Sequence, residues 1–117
     1  MEEEQVRRLV FEYDFKEGMS SVTKAYLNKY KYEDRYSLST FSKVEQKGDE
    51  VCLTRVMNSV ISADPLKEEI CINRNTNTMK SKIIMPTSET RVPEINYFSV
   101  DGQGTKHTQE IYQTDGR

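Results

Sequence analysis

The sequence predicts an α+β protein, in which one curved antiparallel sheet of about seven strands carries a single helix between its first two strands. Residues 9–15 alternate apolar and polar side chains, which is the pattern of a strand with one buried face. From residue 19 the apolar side chains recur at helical spacing. Only strand patterns follow this helix. The 117 residues are enough for one core, so we expect a single domain spanning residues 1–117.

The first strand leads directly into the helix. Asp14 and Glu17 have the spacing of a capping box, which predicts that the helix begins immediately after the strand. Residues 28–30 are expected to close it. One face of the strand is formed by Leu9, Phe11, Tyr13 and Phe15, and the apolar stripe of the helix is formed by Met19, Val22, Tyr26 and Tyr30.

Six further strands are predicted after the helix. Residues 47–49 and 101–104 contain glycine and predict hairpin turns between neighbouring strands. One helix covers only part of such a sheet, so the curved face is expected to leave an apolar groove that needs an occupant. The predicted strands span residues 37–46, 50–61, 69–73, 79–85, 91–100 and 105–114.

The composition narrows the classes of function. Lys and Arg number 17 against 19 Asp and Glu, so the chain lacks the basic character of a general nucleic-acid binder. Although 31% of the residues are charged, seven Tyr and four Phe indicate a folded core. No apolar run has the length of a membrane span, and the acidic start at residues 1–4 does not have the pattern of a targeting sequence.

The residues that carry catalysis or bind metals are sparse in the sequence. His107 is the only histidine and is expected to be a surface or cross-strand residue, and no glycine-rich phosphate loop is present. Acid–base groups are also missing from the predicted inner face of the sheet, so we expect no enzyme, no metal site and no cofactor. Glu68 and Glu69 are interpreted as solvated loop charges. Cys52 and Cys71 are too few for a disulfide framework, and they are expected either to pair across neighbouring strands or to remain packed thiols.

Arg55 is the least expected residue in the strand patterns. It shares a face with Val51, Leu53 and Met57, and an arginine on an apolar face requires a compensating partner. A carboxylate, a cluster of carbonyl groups or an anionic ligand such as phosphate satisfies this requirement, and an arginine near a strand end also reaches water. Lys29 is expected either to cap the helix end or to contact an anionic lipid headgroup.

Three segments together resemble the PRELI-like lipid-transfer domains of the mitochondrial intermembrane space. Residues 21–30 are similar to the first-helix pattern of that family, which ends in Asn, a basic residue and Tyr. Residues 53–57 are similar to its strand arginine step, and residues 72–80 to its Asn-rich turn before a strand. The chain departs from the family in residues 59–66, which are short. It also departs where the long C-terminal helix of the family would follow the last strand.

The resemblance implies a START-like helix-grip fold and non-catalytic binding and intermembrane transfer of a phospholipid with a phosphatidic acid-like headgroup. It implies that Lys29 and Arg55 bind the headgroup, with peripheral membrane contact and a small, helical, disulfide-bonded partner protein. The expected location is the mitochondrial intermembrane space, and otherwise the cytoplasm. The residues expected to line the groove are Met19, Val22, Tyr26, Leu53 and Met57.

A second class of function follows from the same groove. Without a closing helix, the curved sheet would bury its apolar face against another chain or in a homodimer, because a large apolar patch rarely stays exposed. The alternative function is therefore a protein-interaction domain.

Overall fold

The computed structural model describes residues 6–28, 36–59, 66–84 and 93–114. Within these ranges the chain forms one α-helix and seven strands. The helix α1 spans Met19–Asn28. The strands are β1 (Val6–Phe15), β2 (Tyr36–Lys47), β3 (Glu50–Ser59), β4 (Leu66–Asn73), β5 (Thr78–Ile84), β6 (Glu94–Asp101) and β7 (Gly104–Thr114).

The seven strands form one antiparallel sheet in the order β1-β7-β6-β5-β4-β3-β2. From β2 to β7 each strand pairs with its neighbour in the chain, and β1 pairs with β7 at the far end. The first two strands therefore form the two edges of the sheet, and α1 lies in the connection between them. This arrangement confirms the predicted fold class, a curved antiparallel sheet with one helix between strands one and two.

One face of the sheet packs against α1, and we call it the inner face. Its core consists of Met19 and Tyr26 from the helix with Ile70, Met79 and Phe98 from the sheet, all buried. The register places Leu53 opposite Ile70 and Met79 opposite Phe98, so side chains of successive strands meet on this face. Burial of these apolar side chains holds the helix on the sheet.

The helix begins later than the capping box predicts. β1 continues through Phe15, which pairs with Thr105 of β7, so Asp14 belongs to the strand. The carbonyl of Gly18 accepts the first helical hydrogen bond from the amide of Val22 at 3.1 Å. The capping-box prediction is therefore wrong, because pairing with β7 extends the strand over the residues that would have capped the helix.

The hairpin turns form where the glycines predicted them. Gly48 joins β2 to β3 with a φ of 63°, and Gly102 joins β6 to β7 with a φ of 60°. Side chains are disfavoured in this left-handed region, so glycine permits these tight connections. β4 begins at Leu66, three residues before its predicted start at Glu69, and this earlier start brings Glu68 into the sheet.

Cys52 and Cys71 form a disulfide bond between β3 and β4. They are direct register partners, with their Cα atoms 4.1 Å apart. Of the two alternatives left by the sequence, the structure therefore adopts the paired one. The bond lies on the face opposite α1, since Cys52 alternates with Leu53 along the strand.

Apolar side chains remain exposed at both edges of the inner face. Phe11, Tyr13 and Phe15 of β1 are between 38% and 43% exposed, and Phe41 and Val44 of β2 are 45% and 66% exposed. The described part of the chain therefore leaves the groove open at its two sides. None of the described helices is long and apolar enough to cross a membrane.

Candidate ligand-binding site

A cleft of about 570 Å³ separates α1 from strands β1, β6 and β7. Its volume lies within the range of small-molecule sites, about 300–1,000 Å³. The wall on the sheet side is aromatic, and the wall on the helix side carries mostly small side chains. The lining residues are Phe15, Glu17, Ser21, Val22, Ala25, Tyr26, Phe98 and His107.

The aromatic wall is a row of rings across three neighbouring strands. His107 of β7 stacks on Phe98 of β6, with ring centroids 4.1 Å apart and planes inclined by 13°. Phe15 of β1 is nearly parallel to His107 at 6.2 Å, and the Tyr26 ring meets Phe98 edge-on at 5.0 Å. The His107 Nε2 atom lies 2.8 Å from the side-chain oxygen of the buried Asn96, and this contact fixes the orientation of the imidazole.

A buried polar network lies beside the cleft, centred on Glu68 of β4. The hydroxyl groups of Tyr26 and Ser81 both donate to Oε2 of Glu68, and the two hydroxyl oxygens lie 2.8 Å apart. Arg55 donates to Oε1 of Glu68 from Nε at 2.9 Å and from Nη2 at 2.6 Å. The side chains of Arg55 and Glu68 are 1% and 0% exposed. Each of the two charges is therefore neutralised by the other inside the fold, where an unpaired charge would be energetically costly.

Arg55 also connects the sheet to the end of the helix. Its Nη1 donates to the carbonyl of Leu27 at 2.8 Å and to that of Tyr26 at 3.3 Å. The last carbonyls of a helix have no partner within the helix, and a cation at this end complements the helix dipole. The Phe41 ring lies 5.6 Å from the guanidinium. Arg55 thus binds the C-terminal turn of α1 to the sheet, and it supplies a cation at the helix end, which is one of the two roles that the sequence left open for Lys29.

The residues proposed from the sequence fall into four groups. Val22 and Tyr26 line the cleft. Met19 and Leu53 belong to the core around α1, and Met57 is buried in β3. For Arg55 the structure shows the carboxylate and carbonyl alternatives, and its binding of a lipid headgroup stays a prediction. Lys29 and Tyr30 lie outside the described residues.

Several residues of the site were missed or misplaced by sequence reasoning. Glu68, interpreted as a solvated loop charge, is fully buried in β4, so that interpretation is wrong. Its alternation with Ile70 and Ile72 would have placed it on the inner face. His107 was expected to be a surface or cross-strand residue, and it is a cross-strand partner of Phe98 that faces the cleft. No pattern in the sequence singled out Phe98 or Ser81 as residues of the site.

Among the described residues, no group of three or more His, Cys, Asp and Glu side chains is arranged to hold a metal ion. What the arrangement offers chemically is an aromatic cleft with a few polar groups around it, namely the Glu17 carboxylate, the Ser21 hydroxyl and the His107 imidazole.

No family model matches the sequence, and no curated protein matches it. Solved structures do match. A Streptomyces aromatase/cyclase has a TM-score of 0.54 at 6% identity, covering 97% of this chain and 71% of its own. A point mutant of Thalictrum norcoclaurine synthase in complex with a transition-state analogue has a TM-score of 0.52 at 8% identity, covering 99% and 80%. A Thermus thermophilus protein has a TM-score of 0.52 at 8% identity, covering 95% and 75%.

These structures show that the chain has the helix-grip fold. The fold that the resemblance implies is thereby confirmed. The narrower resemblance to PRELI-like domains has no support from a family model or a related sequence.

The expectation that excluded an enzyme is wrong. Two of the proteins with this fold are named as an aromatase/cyclase and a norcoclaurine synthase. The physical basis of the exclusion also fails, because it assumed that acid–base groups were missing from the inner face. Tyr26, Glu68 and Ser81 form a hydrogen-bonded group there, and His107 faces the cleft.

Proposed function

We propose that this protein binds a hydrophobic small molecule in the cleft between α1 and strands β1, β6 and β7. The observation that carries the proposal is the cleft itself, about 570 Å³ in volume and lined mostly by apolar and aromatic side chains. Burying a ligand against such walls removes apolar surface from water. The helix-grip fold supports the proposal because ligand-binding proteins share it.

Filling the cleft tests the proposal directly. Ala25→Phe places a ring among the lining residues, whereas Ser20→Phe places the same ring on an exposed position of the same helix. Organic extraction of the purified protein, followed by mass spectrometry, is expected to recover a hydrophobic compound from the unaltered protein and from Ser20→Phe. Ala25→Phe is expected to lose it. Equal recovery of the compound from both variants would show that it binds outside the cleft.

A phospholipid is the specific ligand that the sequence resemblance implies. Its support is the resemblance itself, the apolar groove and the cation Arg55 at the end of α1. Because Glu68 already neutralises Arg55, a phosphate group must either bind Arg55 together with this carboxylate or displace the carboxylate from Arg55. The proposed location in the intermembrane space, the membrane contact and the small helical partner belong to this hypothesis. The Cys52–Cys71 disulfide supports an oxidising compartment.

Lipid transfer between vesicles tests the phospholipid hypothesis. Donor vesicles that contain phosphatidic acid are expected to lose it to acceptor vesicles in the presence of the protein, and vesicles of pure phosphatidylcholine serve as the control. Lys29→Ala should slow this transfer more than Lys24→Ala, a change on the exposed surface of α1. If both variants transfer the lipid at the unaltered rate, Lys29 does not bind its headgroup.

The second candidate function is a protein-interaction domain. The observation in its favour is the exposed apolar surface at the two edges of the inner face, formed by Phe11 and Tyr13 on one side and by Phe41 and Val44 on the other. Light scattering across a concentration series tests it. A concentration-dependent dimer that Phe41→Ser weakens would support this function, and a monomer at every concentration would oppose the homodimer.

A further inference from the structure

The rings of the cleft form an aromatic wall across three neighbouring strands. His107 and Phe98 are in face-to-face contact at 4.1 Å, and on the β1 side of His107 the Tyr13 and Phe15 rings lie 5.3 Å and 6.2 Å away between centroids. Aromatic rings attract one another through offset faces and through edges. A flat aromatic molecule placed against this wall therefore makes ring–ring contacts with it.

The opposite wall of the cleft gives such a molecule room. Ser21, Val22 and Ala25 line the helix side, and Ser21 and Ala25 are small and exposed. Most of the cleft volume therefore lies between short side chains on α1 and flat rings on the sheet. A planar ring uses this space by stacking on the aromatic wall, while a flexible acyl chain loses more conformational freedom there.

The charges around the cleft restrict the ligand further. Among the described residues that line it, Glu17 is the only charged one, and neither Lys nor Arg belongs to the lining. The inner-face cation Arg55 is neutralised by Glu68. An anion in the cleft would therefore meet the Glu17 carboxylate without a compensating cation, whereas an amine or hydroxyl group would find an acceptor. Aromatic faces also attract cations.

We infer that the cleft binds a flat aromatic molecule that is uncharged or positively charged, with its ring on the Phe15–His107–Phe98 row and its polar group towards Glu17. This inference rests on the proposed binding function and specifies the chemical class of the ligand. It goes beyond the phospholipid hypothesis, because that ligand is an anion with acyl chains.

A matched set of probes separates the ring from the charge. Isothermal titration calorimetry would compare 2-(aminomethyl)naphthalene, 2-naphthalenemethanol, 2-naphthoate and decylamine. The amine and the alcohol are expected to bind about tenfold or more tightly than both naphthoate, which carries the wrong charge, and decylamine, which carries no ring. Preference for decylamine over the naphthyl amine would overturn the aromatic assignment.

Two substitutions locate the effect on the proposed residues. Phe15→Leu keeps an apolar side chain but removes the ring, and it is expected to weaken the naphthyl amine about tenfold with little effect on decylamine. Phe41→Leu is the matched control, since Phe41 is a similarly exposed phenylalanine at the other edge of the inner face. Glu17→Gln should narrow the difference between the amine and naphthoate. Equal losses in Phe15→Leu and Phe41→Leu would contradict the placement of the ligand ring on the Phe15–His107–Phe98 row.

The outcomes also separate this inference from the function on which it rests. If no naphthyl probe binds but decylamine or phosphatidic acid vesicles do, the cleft binds hydrophobic ligands of another class, and only the aromatic inference fails. If no probe binds and extraction recovers no ligand, the proposed function fails as well. Tight binding of naphthoate, unchanged in Glu17→Gln, would remove the charge part of the inference.

Discussion

Two arginine–glutamate pairs have the same type of additional hydrogen-bond partner but differ in burial. Arg55 and Glu68 lie on the inner face with side chains 1% and 0% exposed, whereas the side chains of Arg8 and Glu110 are 59% and 9% exposed. Each carboxylate also accepts a hydrogen bond from a tyrosine, Tyr26 in the first pair and Tyr112 in the second. The same three residue types are thus used on both sides of the sheet.

The two pairs differ in which groups lose their partner when the arginine is removed. Loss of Arg55 leaves the Glu68 charge inside the fold and frees two carbonyl groups at the end of α1. Loss of Arg8 leaves Glu110 next to an exposed strand edge, where water replaces the guanidinium. Burial, and not the presence of an ion pair, decides the structural consequence.

The largest expected effect is that of Arg55→Ala. We expect it to lower the free energy of unfolding by about 3–5 kcal/mol, because it leaves a buried carboxylate unpaired. Urea denaturation followed by circular dichroism measures this change. Arg8→Ala is the matched control and is expected to change the unfolding midpoint far less. Similar losses in the two variants would contradict the distinction between the pairs.

A double substitution sharpens the same prediction. Arg55→Met combined with Glu68→Leu removes both charges and keeps apolar volume, so it is expected to be more stable than Arg55→Ala alone. If the double variant is the less stable of the two, the cost of Arg55→Ala arises from packing and not from the unpaired Glu68 charge.

The disulfide fixes the strand pair that carries the buried arginine–glutamate pair. Cys52 and Cys71 are 19 residues apart, and opening a loop of this size is expected to cost about 3 kcal/mol through the entropy of the unfolded chain. Cys52→Ala with Cys71→Ala should lower the urea midpoint accordingly. A reducing agent should destabilise the unaltered protein but leave the double variant unchanged. Insensitivity of both to reduction would show that the bond does not form.

The tyrosine hydroxyls that donate to Glu68 and Glu110 allow the buried and the exposed pair to be compared again, with a smaller expected effect on stability. Tyr26→Phe removes a hydroxyl that donates to Glu68 and contacts the Ser81 hydroxyl while keeping the ring, and we expect a loss of about 2 kcal/mol in the free energy of unfolding. Tyr112→Phe removes the corresponding donor to Glu110 near solvent, and its effect should be clearly smaller. Thermal or urea denaturation of both variants measures the difference, and the reverse order would be evidence against it.

The smallest expected effect is the pH dependence of the outer pair. Hydrogen bonds from the Tyr112 hydroxyl and the Arg8 guanidinium hold the pKa of Glu110 below its ordinary value of 4.5. Because the pKa is lower in the folded protein, the contribution to stability is present above pH 4.5 and is lost as the pH falls through the lowered value. NMR titration of the Glu110 carboxyl group measures this, with Glu110→Gln as the stability control. A pKa at or above 4.5 would refute the prediction.

The sequence by itself determined the elements and their faces. Period-two alternation placed Phe11 and Phe15 on one side of β1, and glycine defined the turns at Gly48 and Gly102, because these signals depend on local backbone geometry. It also identified Arg55 as a residue that requires a partner, since a charge on an apolar face is costly wherever it occurs.

Only the tertiary structure decided which partner Arg55 has and where a ligand fits. The β3–β4 register sets Arg55 opposite Glu68, and pairing of β1 with β7 moves the helix start to Met19. The cleft exists because pairing of β1 with β7 brings Phe15 beside His107 and Phe98, which lie on a hairpin far from β1 in the chain. Local periodicity assigns a residue to a face, but contacts between distant segments depend on strand order and register, and these are fixed only when the whole sheet forms.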